Sequence, residues 1–147
     1  GHLSTDANAA SDVFNTPGSL EAAIGNQTIG TRGEGRYATT LDLLAAYAAG
    51  DAHAERVWLE SVRHLAAAIA SLINVLDPEV IIVGGGIAVG AGERLFGPLQ
   101  SMLDGFEWRP GGHQARLVPA ALGDNAGCLG AVFQLINDAT DTSSARR

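Results

Sequence analysis

The sequence predicts an α/β domain with a parallel βαβ unit flanked by long helices. Three observations point to it. Residues 79–87, EVIIVGGGI, read as a strand running into a glycine turn. Residues 115–120, ARLVPA, read as a second strand, with a helical stretch at about 92–103 between the two. Strand, helix, strand in that order gives parallel strands joined by a right-handed crossover. Upstream, Val57, Val62, Leu65, Ile69, Leu72 and Ile73 recur at helical spacing.

Composition bounds the function. The chain has 147 residues and is 46% hydrophobic, which is enough for one core. Its net charge of -7, from 9 Lys and Arg against 16 Asp and Glu, leaves no basic stripe for a phosphate backbone or an anionic membrane. A single cysteine, Cys128, precludes an internal disulfide and suggests a reducing, cytoplasmic setting. The longest apolar run, residues 65–76, includes Ser71 and Asn74 and falls short of the about 20 residues that span a bilayer, so it is expected to be a core helix. The opening Gly1-His2, without an initiator Met, fits either a tag scar or a fragment boundary.

Taken in order, residues 3–17 lack periodicity and read as a loop. A short helix at 18–24 carries Glu21 in its first turns, where the dipole favours an acid, and Gly25-Asn26 stops it. Residues 27–36, QTIGTRGEGR, lack the Lys-Ser/Thr pair of a P-loop and are expected to be a mobile loop. Thr39-Thr40 caps a helix over 41–49, and Asp51 starts a longer one through Leu76, which together form a helical hairpin. Asp77-Pro78 ends it, and the unbroken VIIV after it implies a strand buried on both faces. The last helix spans about 124–137, with Leu129, Val132, Phe133 and Ile136 on one face. The tail, 138–147, reads as disordered. Residues 1–137 show no internal boundary and no repeat, so the rest of the fold is expected to lie outside the chain.

Ligands of open α/β sheets bind beyond the carboxyl ends of the strands, where Gly84, Gly85 and Gly86 sit. Without Cβ atoms, that backbone can take positive φ and let a purine or ribose lie against it. A tight turn needs glycine just as much, and the residues alone fit both readings. Cys128 is expected to be buried and structural, and Trp58 and Trp108 to pack in the interior. His53, His64 and His113 have no ligand spacing. Asp124 can cap the last helix or lie near the cleft, and capping is the simpler role.

Residues 72–87 (LINVLDPEVIIVGGGI), 95–103 (LFGPLQSML) and 115–132 (ARLVPAALGDNAGCLGAV) closely resemble, in that order, the carboxy-terminal half of the ROK family of sugar kinases and sugar-responsive repressors. The resemblance covers roughly residues 1–137 and implies half of an actin-like ATPase (ribonuclease H-like) fold. It also implies that Gly84, Gly85 and Gly86 contact the adenosine of ATP. The family's sugar motif is Glu-x-Gly-His, then a loop with three cysteines, then Gly-Cys-x-Glu. Gly1-His2 and Gly18-Ser19-Leu20-Glu21 fall in matching places, which marks Gly1-His2 as native sequence and His2 and Glu21 as sugar-binding residues. A histidine and a carboxylate suit a hydroxyl-rich ligand, because both accept from hydroxyls and the imidazole can also donate.

Two departures matter. The family's zinc-ligating cysteines fall at Asp12, Phe14 and Ser19, which supply no thiolate, so no zinc is expected, and residues 3–17 should be less ordered or packed through Phe14. The Asp-x-Gly-Gly-Thr phosphate motif and the Asn-Asp pair with the catalytic base are absent here and belong to the family's amino-terminal half. The resemblance thus implies the sugar- and nucleotide-binding half of a hexose or amino-sugar kinase that uses ATP with Mg, inactive without its other half. The alternative is the sugar-sensing domain of a repressor, which would contact DNA only through a module upstream. In either case, including that of a fragment with no activity of its own, an exposed interdomain face favours a homodimer.

Overall fold

The computed structural model describes residues 3–144. The helices are α1 (Leu20–Ile24), α2 (Ile29–Arg32), α3 (Thr40–Ala48), α4 (Ala52–Leu76), α5 (Gly86–Ala91), α6 (Glu93–Phe106) and α7 (Ala126–Ser144). The strands are β1 (Val80–Val83) and β2 (Arg116–Pro119). The chain is therefore α/β, as its sequence predicts.

Caps set where the helices begin. The Thr39 hydroxyl accepts from Asp42 N (3.1 Å) and the Asp42 carboxylate accepts from Thr39 N (2.9 Å), which closes a capping box on α3. Asp51 does the same work for α4 by accepting from His53 N at 2.8 Å and Ala54 N at 3.3 Å. Asp77 ends α4 in the left-handed region, φ 46° and ψ 51°, a conformation that Asp tolerates and that turns the chain into Pro78.

α4 organises the core. Ala54, Trp58, Val62, Ala66, Ile69 and Ile73 are buried along one stripe at three- and four-residue spacing. They pack on Leu95, Leu99 and Leu103 of α6 and on Leu43 and Leu44 of α3. By length and composition α4 could also cross a membrane. Here its apolar stripe is the inner wall of the domain, as expected for a core helix.

One contact between α4 and α6 repairs a defect. Pro98 lies inside α6 and has no N–H to donate to the carbonyl of Arg94 one turn back. The Trp58 indole N–H donates to that carbonyl instead, at 2.8 Å. Trp58 is 4% exposed, so its own polar atom needed a partner too. Trp58 thus packs in the interior as expected, and its hydrogen bond lets a proline sit in the middle of a core helix.

β1 and β2 pair in parallel, Val80 opposite Arg116 and Val83 opposite Pro119, as the βαβ reading requires. β1 is not buried on both faces, however, and Ile82 is 69% exposed. Among the described residues the sheet has two strands, and helices cover only its inner side. Leu129, Val132, Phe133 and Ile136 of α7 are exposed as well. Cys128, expected to be buried, shares that exposure at the start of the same helix.

Other expectations fail for local reasons. Residues 27–36 are not a plain loop. A 3-10 turn (Asn26–Thr28) leads into α2, anchored by the buried Ile29. The helix expected from about Gly92 is preceded by another: residues 86–91 form α5, which begins inside the glycine turn, and Gly92 at φ 51° separates it from α6. α7 does not stop at Asn137 but runs on through Ser144, because no Gly or Pro in 138–144 interrupts it. Trp108 is 73% exposed rather than packed. Arg109 binds Asp104 and Glu107, each at 2.7 Å, and pins the connection with Trp108 facing out.

Candidate functional site

β1 and β2 end side by side, with Ala120 N donating to Val83 O at 2.9 Å, and each strand feeds a helix just beyond its carboxyl end. The glycine turn after β1 lies at this edge, where parallel sheets receive ligands. Its glycines do different work. A Cβ on Gly84 would stand 2.8 Å from the Ala120 Cβ, so close packing of the two strand ends forbids one. Gly85 has φ 97° and ψ 166°, a region essentially restricted to glycine. Gly86 opens α5, has no positive φ, and faces open space. Fold geometry therefore accounts for Gly84 and Gly85 and leaves Gly86 as the bare surface a ligand could approach.

Gly84 and Val83 also line a cavity of about 210 Å³. Its other walls include Ile24 of α1, Trp58 of α4 and Ile87 of α5, and it is mainly apolar. The cavity joins the glycine turn to the helix that carries Glu21. None of these three side chains is a site residue by sequence pattern. Ile87 directly follows the glycines and could have been suspected, whereas Ile24 and Trp58 reach the cavity only through tertiary packing.

Glu21 sits half-buried in the first turn of α1, whose N-cap is Ser19, with the Ser19 hydroxyl accepting from Ala22 N at 3.1 Å. The next corner is shaped around this acid, since a Cβ on Gly25 would collide with the Glu21 carboxylate. Arg32 braces the same corner by donating to Gly25 O (2.9 Å), Thr28 Oγ1 (3.0 Å) and Ser61 Oγ (2.6 Å). His2, the other residue expected to bind sugar, lies outside the described residues.

Residues 3–17 hold their shape by backbone hydrogen bonds to the start of α1: Thr5 N donates to Gly18 O (2.8 Å) and Leu20 N to Leu3 O (2.7 Å). The Asp12 carboxylate accepts from the amides of Phe14 (2.9 Å) and Thr16 (3.0 Å). Phe14 does not anchor the loop in the core, being 61% exposed. Asp12, Phe14 and Ser19 do not fit a thiolate zinc site, since Asp12 closes a turn and Ser19 caps a helix. Among the described residues no group of three or more His, Cys, Asp or Glu could hold a metal ion.

A family model described as the ROK family matches residues 1–138. The chain belongs to the ROK family. Among curated relatives of this ROK chain, the bifunctional enzyme NanE/NanK of Brucella melitensis is 36% identical over 92 residues, covering 60% of this chain and 16% of that protein. A glucokinase of Halalkalibacterium halodurans is 35% identical over 92 residues, covering 63% and 28%. Among solved structures, the ROK hexokinase of Thermus thermophilus superposes with a TM-score of 0.78 at 30% identity, over 94% of this chain and 48% of that one. A ROK glucokinase from Streptomyces griseus, in complex with glucose and AMPPNP, gives 0.70 at 26% identity over 89% and 48%. A ROK transcriptional regulator homologous to the E. coli MLC protein gives 0.64 at 26% identity over 81% and 33%. The chain thus spans about half the length, or less, of the proteins it matches. The ROK kinases have the actin-like ATPase fold, and this chain corresponds to a portion of it.

Proposed function

We propose that the chain is the sugar- and nucleotide-binding half of an ATP-dependent hexose or amino-sugar kinase. The observation that carries this reading is the glycine turn at the carboxyl edge of the parallel strands, with Gly86 bare and an apolar cavity at Gly84 reaching back to the helix of Glu21. The complex of the Streptomyces griseus relative with glucose and AMPPNP supports both ligands. In this reading Gly84, Gly85 and Gly86 receive the adenosine of ATP, which arrives with Mg, while His2 and Glu21 hold sugar hydroxyls. The catalytic base and the phosphate-binding motif come from a polypeptide half that would cover the apolar face of α7 and the outer face of β1.

ADP release, measured for an intact protein containing this chain against a panel of hexoses with Mg-ATP, tests the assignment. Turnover that Glu21→Gln depresses at least tenfold, as loss of a charge-assisted hydrogen bond implies, is the expected result. Sugar binding without turnover on any hexose would transfer the chain to the second reading, a sugar sensor of a transcription regulator. The overlap with the ROK regulator over 81% of the chain favours that as the alternative.

A further inference from the structure

Away from the glycine turn, a cleft of about 480 Å³ opens between the α1–α2 corner and the first half of α4. Its charged lining is Arg32, Glu34, His53, Arg56, Glu60 and His64. Both carboxylates are engaged at the rim. Glu34 pairs with His53 Nε2 at 3.4 Å, and Glu60 with His64 Nε2 at 3.6 Å and Arg63 at 3.8 Å. The guanidiniums are not neutralised in the same way. Arg32 spends its bonds on neutral oxygens of Gly25, Thr28 and Ser61, and burial lowers its pKa from the ordinary value. Arg56 has neither a hydrogen bond nor an ion pair among the described residues.

A guanidinium has five N–H donors, and Arg32 uses three of them, so N–H groups remain on both of its Nη atoms. A half-buried cation held by neutral acceptors, beside a second cation with no partner, is an environment completed by an anion. We propose that this cleft binds a small oxyanion, a phosphate monoester or a compact carboxylate, between Arg32 and Arg56. The hydroxyl of Ser61 already belongs to Arg32 and holds its fork in place. The imidazoles of His53 and His64 line the same space. The site goes beyond the sugar and nucleotide assignment and does not depend on it.

Calorimetric titration of the 147-residue chain at fixed ionic strength, with inorganic phosphate, a hexose phosphate and citrate as separate probes, tests the proposal. Saturable binding of at least one probe is expected, weakened about tenfold by Arg56→Gln and strengthened by Glu60→Gln, which removes a rim carboxylate. Arg56 and Glu60 are exposed, so circular dichroism should show both variants folded. The tightest probe distinguishes a phosphate ester from a carboxylate. Absence of saturable binding by all three probes, or affinities that Arg56→Gln leaves unchanged, would overturn the proposal. Glu21→Ala should not alter this binding, which separates its failure from that of the sugar assignment.

Discussion

Residues 84–86 are identical in type and different in purpose. As sequence they form one feature, because what separates them is not local. Ala120, which excludes a side chain at Gly84, lies just past the end of the other strand, and the φ of Gly85 reflects how the strand must turn into α5. Alanine substitution should therefore split into two outcomes. Gly85→Ala should destabilise by about 1–3 kcal/mol from backbone strain, and Gly84→Ala should destabilise through the clash with Ala120. Gly86→Ala should leave the midpoint of urea unfolding nearly unchanged while weakening ATP binding in the intact protein. Equal loss of stability in all three variants would remove the reason for singling out Gly86. Motif spacing singles out Glu21 as a candidate, whereas Gly25, which packs against its carboxylate, shows in the sequence only as a helix stop.

At the level of elements, whatever is encoded within one turn of chain is readable. Thr39 and Asp51 announce α3 and α4, and the two strands and their parallel order come from composition and sequence order. α2 and α5 escape such a reading because only one or two buried side chains hold them in place, Ile29 in one and Ala88 and Ala91 in the other. Glycine-rich stretches give no periodicity to find. The bond from Trp58 to the Arg94 carbonyl is equally hidden, because it links two helices. It predicts a specific non-additivity. Trp58→Phe takes the indole donor from the Arg94 carbonyl and should cost about 1 kcal/mol. Pro98→Ala restores the missing amide, so the same Trp58→Phe change should cost measurably less in that background. A double-mutant cycle from urea unfolding reads the coupling directly, and strictly additive losses would refute it.

For the molecule as a whole, the lesson concerns what its surface leaves open. A sequence pattern shows that VIIV and the face of α7 are apolar, but not whether anything covers them. Among the described residues Ile82 and Phe133 stand 69% and 66% exposed. Large apolar side chains left in solvent on two elements point to an interface. The 147-residue chain should accordingly self-associate in sedimentation experiments, and Phe133→Ser should reduce that association with little effect on unfolding, since the side chain contributes little to the core. Association unaffected by Phe133→Ser would place the contact elsewhere.

The two tryptophans, finally, give the domain two separate optical channels. Trp108 stands in solvent on the connection after α6, within immediate reach of a collisional quencher, while Trp58 is enclosed with its indole proton committed to Arg94. Emission from Trp58 becomes accessible to that quencher only when α4 and α6 part. Fluorescence can therefore follow the opening of the core separately from changes on the outer rim.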